Sequence, residues 1–373
     1  MAGANSSMLR LMTELRDFYG VEPVVLMPQI HPNYAKHNLF KSCQEIDIEC
    51  YSYRFYWFKE NKCWKAYLKC ISNMLWYPRI LWKMRGKQYD IIHSNGSVIS
   101  LGAVISRMKR TPHVWHLREF GLLGYNLSSL FGTGYERWVY RHGDLFIAIS
   151  KAVKDYYSPI IPDEKIRMIY NGVLPPDEQF TARHQDKTIS FCLMGLLCEQ
   201  KNQLEALRAV DILVNRWGVT GFHLYFMGFE QVEYTRLLKS FIEEKNLSEY
   251  VTFMGECSHV SSHLCRMDVG LMLSNHEAFG RVTVEYMMHG LFVIATDTGA
   301  NPEIIENGQS GSIYHQGDYE ALAQKMRKCI DHPEDMRLIT QQGRDRALRL
   351  FTSERNTRQI HDAYSQVAPT LFS

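Results

Sequence analysis

The chain has 373 residues, 46% of them hydrophobic and 22% charged, and a formal net charge of +2 at pH 7. This length exceeds one ordinary hydrophobic core, so two domains are expected. The near-neutral balance argues against a nucleic-acid-binding protein, and no Cys/His cluster has zinc-binding spacing. The nine cysteines stand in apolar contexts typical of reduced thiols, and no membrane-spanning run or secretion signal is found. We therefore expect a cytoplasmic protein.

An amphipathic helix is predicted near the start of the chain. Apolar residues from Met8 to Leu15 recur with a helical period, and Ser6 or Ser7 is the expected N-cap. A strand is predicted next, at Val21–Pro28.

Residues 51–90 are rich in aromatic and basic side chains, opposed only by Glu60 and Asp90. An aromatic, basic helical stretch of this kind is typical of contact with an anionic membrane surface. Alternatively, the aromatic rings pack against a sheet while the lysines and arginines face water. The sequence leaves both interpretations open.

Strands and helices then alternate, as in a doubly wound α/β fold. Strands are predicted at 90–96, 111–119 and 145–150, with helices at 101–108 and 151–157.

Three ionisable residues, His116, Arg118 and Glu119, end the strand at 111–119. The carboxyl ends of parallel strands are where such sheets bind ligands, which favours a site role for His116, with His113 as the weaker candidate. A lone strand histidine is more often structural, and Arg118 and Glu119 also suit a local ion pair.

A linker between two domains is predicted at residues 174–187, where Pro175 and Pro176 precede a polar run. The next strand, Thr188–Met194, ends at Gly195, and Lys201 follows in a polar loop. Two further strands also end in glycine, at Gly228 and Gly255. A glycine lets a ligand approach the backbone, although many strands end in glycine for steric reasons alone.

The stretch Ser274–Glu303 carries the strongest signal. Glu277 lies in the loop after a strand, and Glu285 follows seven intervening residues later, on the first turns of a predicted helix. Gly280 and the N–H groups that follow it suit an anion. The alternative is that the two glutamates are only charges favoured near a helix N-terminus.

A buried-strand run at Phe292–Thr296 and a turn at Thr298–Ile305 complete this pattern. Glu-x7-Glu followed by a strand and a Gly-Ala-Asn-Pro-Glu turn resembles the retaining family 4 glycosyltransferases of GT-B fold. Residues 145–173 also resemble that family's Ile-Ser-x-x-Val and Asn-Gly-Val signatures. The resemblance extends over nearly the whole chain.

The resemblance implies an α/β fold of GT-B type, with two Rossmann-like domains facing across a cleft. The last helix would cross back, so an acceptor-side domain of 1–173 with 354–373 is expected. The linker is 174–187, and a nucleotide-sugar-binding domain spans 188–353. The strand that normally precedes the first helix is missing from this sequence, and we expect the natural chain to start about a dozen residues earlier.

The resemblance also implies roles for the donor-side residues. Glu277 would hold sugar hydroxyls and stabilise developing positive charge, and Glu285 would accept hydrogen bonds from the ribose. The leaving diphosphate would be stabilised by Lys201, Gly280, Arg281 and Val282, and the nucleotide would be approached by Gly195, Gly228 and Gly255. Leu196 replaces an arginine that the family commonly has, so Arg281 is expected to supply the second positive charge.

On the acceptor side, His116 would orient the sugar, and Gly3, Arg118 and Glu119 would face the acceptor. The implied reaction moves a hexosyl unit, with retention, from a nucleotide diphosphate sugar to a hydroxyl of a saccharide or lipid-linked saccharide. The favoured nucleotide is UDP, and the expected pathway is polysaccharide or cell-envelope biosynthesis. Membrane association at the inner face would involve residues 51–90.

No cofactor or metal is expected, since the sequence has no Asp-x-Asp motif. A dehydrogenase is disfavoured because no G-x-G-x-x-G follows an early strand. Two alternatives remain: a GT-B sugar-nucleotide epimerase, and a non-catalytic protein that binds nucleotide sugars or acts as a scaffold.

Overall fold

The chain divides into two compact units. A computed structural model describes residues 3–29, 39–60, 63–121, 128–176 and 188–369. Unit 1 is Met1–Gly172 with Ser353–Ser373, and unit 2 is Val173–Thr352. The predicted linker at 174–187 falls mostly outside the described residues and stays a prediction.

Unit 1 contains seven helices and eight strands among its described residues. The helices are α1 (Gly3–Tyr19), α2 (Leu39–Glu45), α3 (Trp64–Lys83), α4 (Leu101–Lys109), α5 (Gly132–Tyr140), α6 (Lys151–Tyr157) and α14 (Ser353–Val367). The strands are β1 (Val24–Pro28), β2 (Glu49–Tyr53), β3 (Lys59–Glu60), β4 (Ile92–Asn95), β5 (His113–Leu117), β6 (Ser128–Ser129), β7 (Leu145–Ala148) and β8 (Ile166–Met168).

The main sheet of unit 1 is parallel, in the order β4-β5-β7-β8. Strands β1 and β2 form a separate parallel pair, and β3 and β6 pair antiparallel. One face of the main sheet is covered by α1 and α14, because Leu11 and Ile360 pack in one cluster with Val114 and Ile147. The last helix of the chain is therefore part of the unit 1 core.

The predicted N-cap of α1 was wrong. The helix begins at Gly3, so Ser6 and Ser7 lie inside it, and Ser7 is buried. Serine lowers the stability of a helix interior only slightly, which allows α1 to include Ser6 and Ser7. The helix therefore begins before the periodic apolar residues from which it was predicted.

The segment 51–90 divides into two parts. Its first part is packed inside the unit, since Phe55 and Phe58 are buried. Its second part forms α3, whose outer face carries large exposed apolar residues. In the first part the phenylalanine rings pack as that interpretation expects, but Lys59 is buried instead of facing water. In the second part only one side of α3 packs on the unit.

Unit 2 is a Rossmann-like domain with one six-stranded parallel sheet. Its strands are β9 (Ile189–Met194), β10 (Phe222–Met227), β11 (Val251–Gly255), β12 (Val269–Met272), β13 (Phe292–Thr296) and β14 (Ser312–Tyr314). Its helices are α7 (Gln203–Asp211), α8 (Val232–Glu244), α9 (Val260–Leu264), α10 (Arg281–Met288), α11 (Asn301–Ile304), α12 (Tyr319–Asp331) and α13 (Met336–Leu350).

The strand order of this sheet is β11-β10-β9-β12-β13-β14. The chain therefore leaves β9 in one direction and returns to β12 on its other side. Loops diverge at such a switch point and leave a crevice at the carboxyl ends of the two strands, where open α/β sheets bind ligands. The loops after β9 and β12 are the two stretches that the sequence singled out.

Helix α10 is fixed against the sheet by Tyr286. This buried ring packs on Gly270 of β12, where an added Cβ would lie 2.3 Å from a ring carbon. The backbone N–H of Met194 donates to the Tyr286 hydroxyl over 2.6 Å. The helix that carries Glu285 is thereby tied to the carboxyl end of β9 at Met194 and to β12 at Gly270.

Candidate active site

Three glycines form the edge of the unit 2 sheet beside the switch point. Gly195 donates its N–H to Met227 over 2.8 Å, and Gly228 donates to Gly255 over 2.8 Å. A Cβ on Gly228 would lie 2.0 Å from the Gly195 carbonyl oxygen, and both residues have positive φ. Only glycine fits at 228, and the edge is left open for a ligand to approach the backbone.

Lys201 and Glu277 meet at the switch point. The Lys201 Nζ donates to the Glu277 Oε2 over 2.6 Å, and the two side chains are 29% and 20% exposed. The loops that carry them are also joined through their backbones, since the Asn275 N–H donates to the Gln200 carbonyl over 3.0 Å. The structure thus brings together two residues that lie 76 positions apart in the sequence.

The turn after β13 supports the Glu277 loop. The Ala300 N–H donates to the Glu277 carbonyl over 2.8 Å, and the Thr298 hydroxyl donates to the Ser274 carbonyl over 2.9 Å. Gly299 has a φ of +58°, and a Cβ there would lie 2.2 Å from the Glu277 carbonyl oxygen. Sequence reasoning noted this Gly/Pro turn as a motif but missed Thr298 and Gly299 as the residues that position Glu277.

Gly280 begins α10 in a left-handed conformation, with a φ of +78°. An added Cβ would lie 2.9 Å from the Thr283 hydroxyl and 3.4 Å from the Glu277 Cγ, so a side chain here would press on the site. The first N–H groups of a helix have no carbonyl partner within it, and those of Arg281 and Val282 belong to this turn.

Glu285 is paired with Arg281 one turn away. The Arg281 Nη2 lies 3.3 Å from the Glu285 Oε1, and the side chains are 26% and 21% exposed. Burial raises the pKa of Glu285, and the positive charge of Arg281 opposes that rise. Each of the two motif glutamates therefore has a cation beside it.

Leu196 is 39% exposed after β9, where the family commonly has arginine. Arg281 contacts Glu285, so the expectation that it replaces that arginine at the diphosphate stays a prediction.

In unit 1, His116 lies at the end of β5 and is fully buried. Its Nδ1 is 3.2 Å from the Nε2 of His93 and 3.3 Å from the Arg118 guanidinium, and His93 reaches the Tyr364 hydroxyl over 2.7 Å. Its Nε2 is buried and has no hydrogen-bond partner among the described residues. Burial and Arg118 lower the pKa of His116 well below its usual range and that of His93 to about 3.

Arg118 is fixed by two asparagines. Its Nε donates to the Asn95 side chain, and its Nη1 donates to the Asn171 side chain over 2.7 Å. Sequence reasoning missed His93, although it lies within the strand run that begins at Asp90. It also missed Asn171, which is the asparagine of the Asn-Gly-Val signature.

The remaining candidates of unit 1 occupy different surroundings. The Glu119 carboxylate accepts from the Ser97 N–H over 2.6 Å and from the Ser97 hydroxyl over 2.7 Å. His113, the weaker histidine candidate, is buried with its Nε2 2.8 Å from the Ser94 hydroxyl. Gly3 is the first residue of α1, and its acceptor role stays a prediction.

Two searches of the described ranges bear on other kinds of site. No group of three or more His, Cys, Asp or Glu side chains there could hold a metal ion. None of the helices in those ranges is both long and apolar enough to cross a membrane.

Comparison with known proteins agrees with the resemblance seen in the sequence. The Bacillus subtilis protein EpsD, a glycosyltransferase by name, is 27% identical over 320 residues, which are 79% of this chain and 81% of EpsD. LpsB of Rhizobium meliloti, named a lipopolysaccharide core biosynthesis mannosyltransferase, is 25% identical over 77% of this chain and 82% of LpsB.

Among solved structures, the Anabaena protein HepE in complex with UDP matches with a TM-score of 0.78. The identity is 20%, and the match covers 98% of this chain and 96% of that one. This likeness confirms the predicted α/β fold of GT-B type.

Two family models match the chain in succession. The model for Glycosyltransferase Family 4 matches residues 1–175, and the model for Glycosyl transferases group 1 matches residues 176–346. Together they account for nearly all of the chain, which belongs to the family 4, group 1 glycosyltransferases.

Proposed function

We propose that this glycosyltransferase moves a hexosyl unit, with retention at the anomeric carbon, from a nucleotide diphosphate sugar to a saccharide or lipid-linked saccharide. UDP is the proposed nucleotide. This choice is supported by HepE, which has been crystallised in complex with UDP and with UDP-glucose. A place in polysaccharide or cell-envelope biosynthesis is supported by the name of LpsB.

The observation that carries the proposal is the Lys201–Glu277 pair at the switch point of unit 2. A lysine held over an open glycine edge can neutralise a diphosphate as negative charge builds on the leaving group. The Lys201 side chain is 29% exposed, so its ammonium can turn from Glu277 towards an arriving phosphate.

Glu277 then becomes available for the sugar. Its carboxylate accepts hydrogen bonds from sugar hydroxyls and stabilises the positive charge that develops on the ring during transfer. The N–H groups at the start of α10, after Gly280, provide further donors to the phosphates. We assign no covalent nucleophile, and the departing phosphate is the proposed base for the acceptor hydroxyl.

Glu285 is the proposed partner of the ribose hydroxyls. It accepts both hydrogen bonds only as a carboxylate, and burial alone works against that state. Arg281 opposes the rise in its pKa, so we assign to Arg281 the role of keeping Glu285 ionised near neutral pH.

The proposed reaction needs no metal ion. Lys201 supplies the positive charge at the leaving diphosphate, and the N–H groups at the start of α10 supply further donors. His116, Arg118 and Glu119 are the proposed acceptor-side residues of unit 1.

A donor panel tests the proposal. UDP-glucose, UDP-N-acetylglucosamine, GDP-mannose and dTDP-rhamnose are compared by thermal shift and by slow hydrolysis of the donor, with and without EDTA. We expect one donor to raise the melting temperature and to be hydrolysed equally in EDTA. The effect should be lost in Glu285→Ala and kept in Glu233→Ala, a matched change at an exposed glutamate of α8.

The other outcomes separate the alternatives. Conversion of a donor to its epimer without an acceptor would indicate an epimerase. Binding without turnover, even with saccharide acceptors, would indicate a non-catalytic protein. Equal stabilisation of Glu285→Ala and the unchanged chain would reject the assigned ribose contact.

A further inference from the structure

Helix α3 has two apolar faces, of which the structure buries only one. The inward face consists of Ala66, Cys70, Asn73 and Ile80, whose spacing of three, four and seven residues forms one stripe. A helix that packs on a domain through one stripe normally carries polar side chains on the opposite, solvent-exposed face. This helix does not.

The outward face of α3 is apolar along its whole length. Its large side chains recur at the spacing of one helical stripe, roughly opposite the buried one, and run for about 27 Å at 1.5 Å per residue. The exposed fractions are 68% for Trp64, 56% for Leu68, 49% for Ile71, 75% for Met74, 77% for Leu75 and 62% for Trp82. Contiguous exposed apolar surface of this extent marks an interaction site.

The charge around this stripe has a single sign. Lys65, Lys69, Arg79 and Lys83 lie along one flank of the helix, and the sequence from 61 to 89 contains no aspartate or glutamate. The whole chain carries only +2, so the positive charge is concentrated here rather than spread over the surface. A partner for this face must therefore be apolar and negatively charged.

The tryptophans at the two ends of the stripe have cations near their rings. The Lys65 ammonium lies 5.9 Å from the Trp64 ring centroid, and the Arg85 guanidinium lies 4.6 Å from that of Trp82. A tryptophan beside a basic side chain suits the boundary between lipid headgroups and acyl chains, where an apolar ring and a charge are accommodated together.

The apolar surface continues onto α5. The Tyr67 ring contacts Phe131, with 5.8 Å between centroids, and Tyr135 stacks on Trp138 at 5.8 Å. Phe131 and Trp138 are 43% and 58% exposed. The surface is therefore a patch on two helices of unit 1, which we name the α3 face.

We propose that the α3 face binds an anionic lipid membrane, with α3 lying parallel to the surface. The apolar stripe enters the boundary of the acyl chains while the basic flank contacts the headgroups. Binding of this kind requires neither a donor nor an acceptor, so it stands apart from the proposed reaction. Under the proposed function, membrane binding by the α3 face favours an acceptor that is attached to a lipid. The membrane proposal depends on the proposed function at no other point.

Vesicle flotation without donor or acceptor tests the proposal. Vesicles of phosphatidylcholine with about a third phosphatidylglycerol are compared with pure phosphatidylcholine, and we expect binding to the anionic vesicles that weakens with salt. The double variant Leu68→Glu, Leu75→Glu should bind about tenfold more weakly for each leucine replaced. Leu338→Glu is the matched control, since Leu338 is 68% exposed on α13 of unit 2, and it should bind as the unchanged chain does.

The charge requirement is tested separately. Replacing Lys65, Lys69 and Lys83 with glutamine should weaken binding about fivefold for each charge removed. Thermal melting and donor hydrolysis of each variant show that it is folded.

Four results would overturn the proposal. They are no binding to anionic vesicles, equal binding to neutral ones, equal loss in Leu338→Glu, or no loss in the leucine double variant. A dimer in size-exclusion chromatography that dissociates in the double variant would instead assign the α3 face to a second copy of this chain.

Discussion

The carboxyl edges of the two parallel sheets have different electrostatic character. In unit 2, Lys201 with Glu277 and Arg281 with Glu285 form charged pairs whose side chains are 20–29% exposed. In unit 1, His116 is 0% exposed in a network with His93, and burial lowers the pKa of both histidines, so they are neutral at pH 7. Partly exposed ion pairs can exchange partners with a charged ligand, whereas the hydrogen-bonded network around the buried His116 and Arg118 holds one geometry.

The largest effect is expected from Glu277→Gln. The change keeps the shape of the side chain and removes the charge proposed to stabilise the transition state, so kcat should fall about 10²- to 10³-fold. Steady-state turnover of the preferred donor measures it.

Glu306→Gln is the control for this variant, because Glu306 pairs with Arg346 and is 51% exposed. It should have normal turnover. An unchanged kcat in Glu277→Gln would show that the charge of Glu277 takes no part in the chemical step.

The next effect concerns donor affinity. Lys201→Met removes the ammonium and leaves the Glu277 carboxylate facing the diphosphate, so the Kd for the nucleotide should rise about 10- to 100-fold. Calorimetry measures the affinity, with Lys245→Met as the control, a change at a partly exposed lysine of unit 2 that pairs with Glu244. In the double variant with Glu277→Gln the loss should be smaller, because the repelling carboxylate is gone. Strict additivity would contradict a direct pair.

The histidines at the carboxyl edge of the unit 1 sheet are expected to make the free energy of unfolding depend on pH. The pKa of His93 is lowered to about 3 in the folded chain, and that of His116 is also lowered. Below about pH 6.5 the unfolded chain therefore binds more protons than the folded chain, and the free energy of unfolding falls as pH falls. His93 should contribute about 1.4 kcal/mol per pH unit between about pH 6 and 4, and His116 should act in the same direction.

Urea unfolding at a series of pH values measures this slope. His93→Gln should reduce the slope by about one proton. Parallel curves for the unchanged chain and His93→Gln would show that His93 is not held neutral in the folded chain.

The smallest effect is expected from Arg281→Ala. Arg281 opposes the raised pKa of Glu285, so its removal should raise that pKa further and weaken nucleotide binding about fivefold at pH 7. The loss should grow as pH falls, because a protonated carboxyl group accepts fewer hydrogen bonds. Normal affinity at every pH would contradict both this role and the expected replacement of the arginine at Leu196.

The residues of the unit 2 site could be predicted from the sequence because they lie in loops that directly follow strands. Lys201 and Glu277 each come after a buried apolar run, and parallel strands bring their carboxyl ends to one edge. The backbone support from the turn at Gly299 and Ala300 was not accessible, since it depends on a 2.8 Å hydrogen bond from the Ala300 N–H to the Glu277 carbonyl.

The unit 1 network was largely beyond sequence reasoning. The contact of His93 with Tyr364 joins residues 271 positions apart, and it depends on which face of α14 turns towards the sheet. A helical period shows an apolar face, but it does not identify the strand on which that face packs. The same limit applied to the segment 51–90, where composition could not show that α3 has an apolar face on each side.

The placement of α14 sets the order in which the protein can be completed during synthesis. Unit 2 is continuous, from Val173 to Thr352, whereas the core of unit 1 includes Ile360 and Ala363 near the end of the chain. Domains ordinarily fold from the N-terminus as they leave the ribosome. Here the first unit to be translated is completed only after unit 2, so the part of the nascent unit 1 sheet that α14 covers stays exposed until α14 has been synthesised.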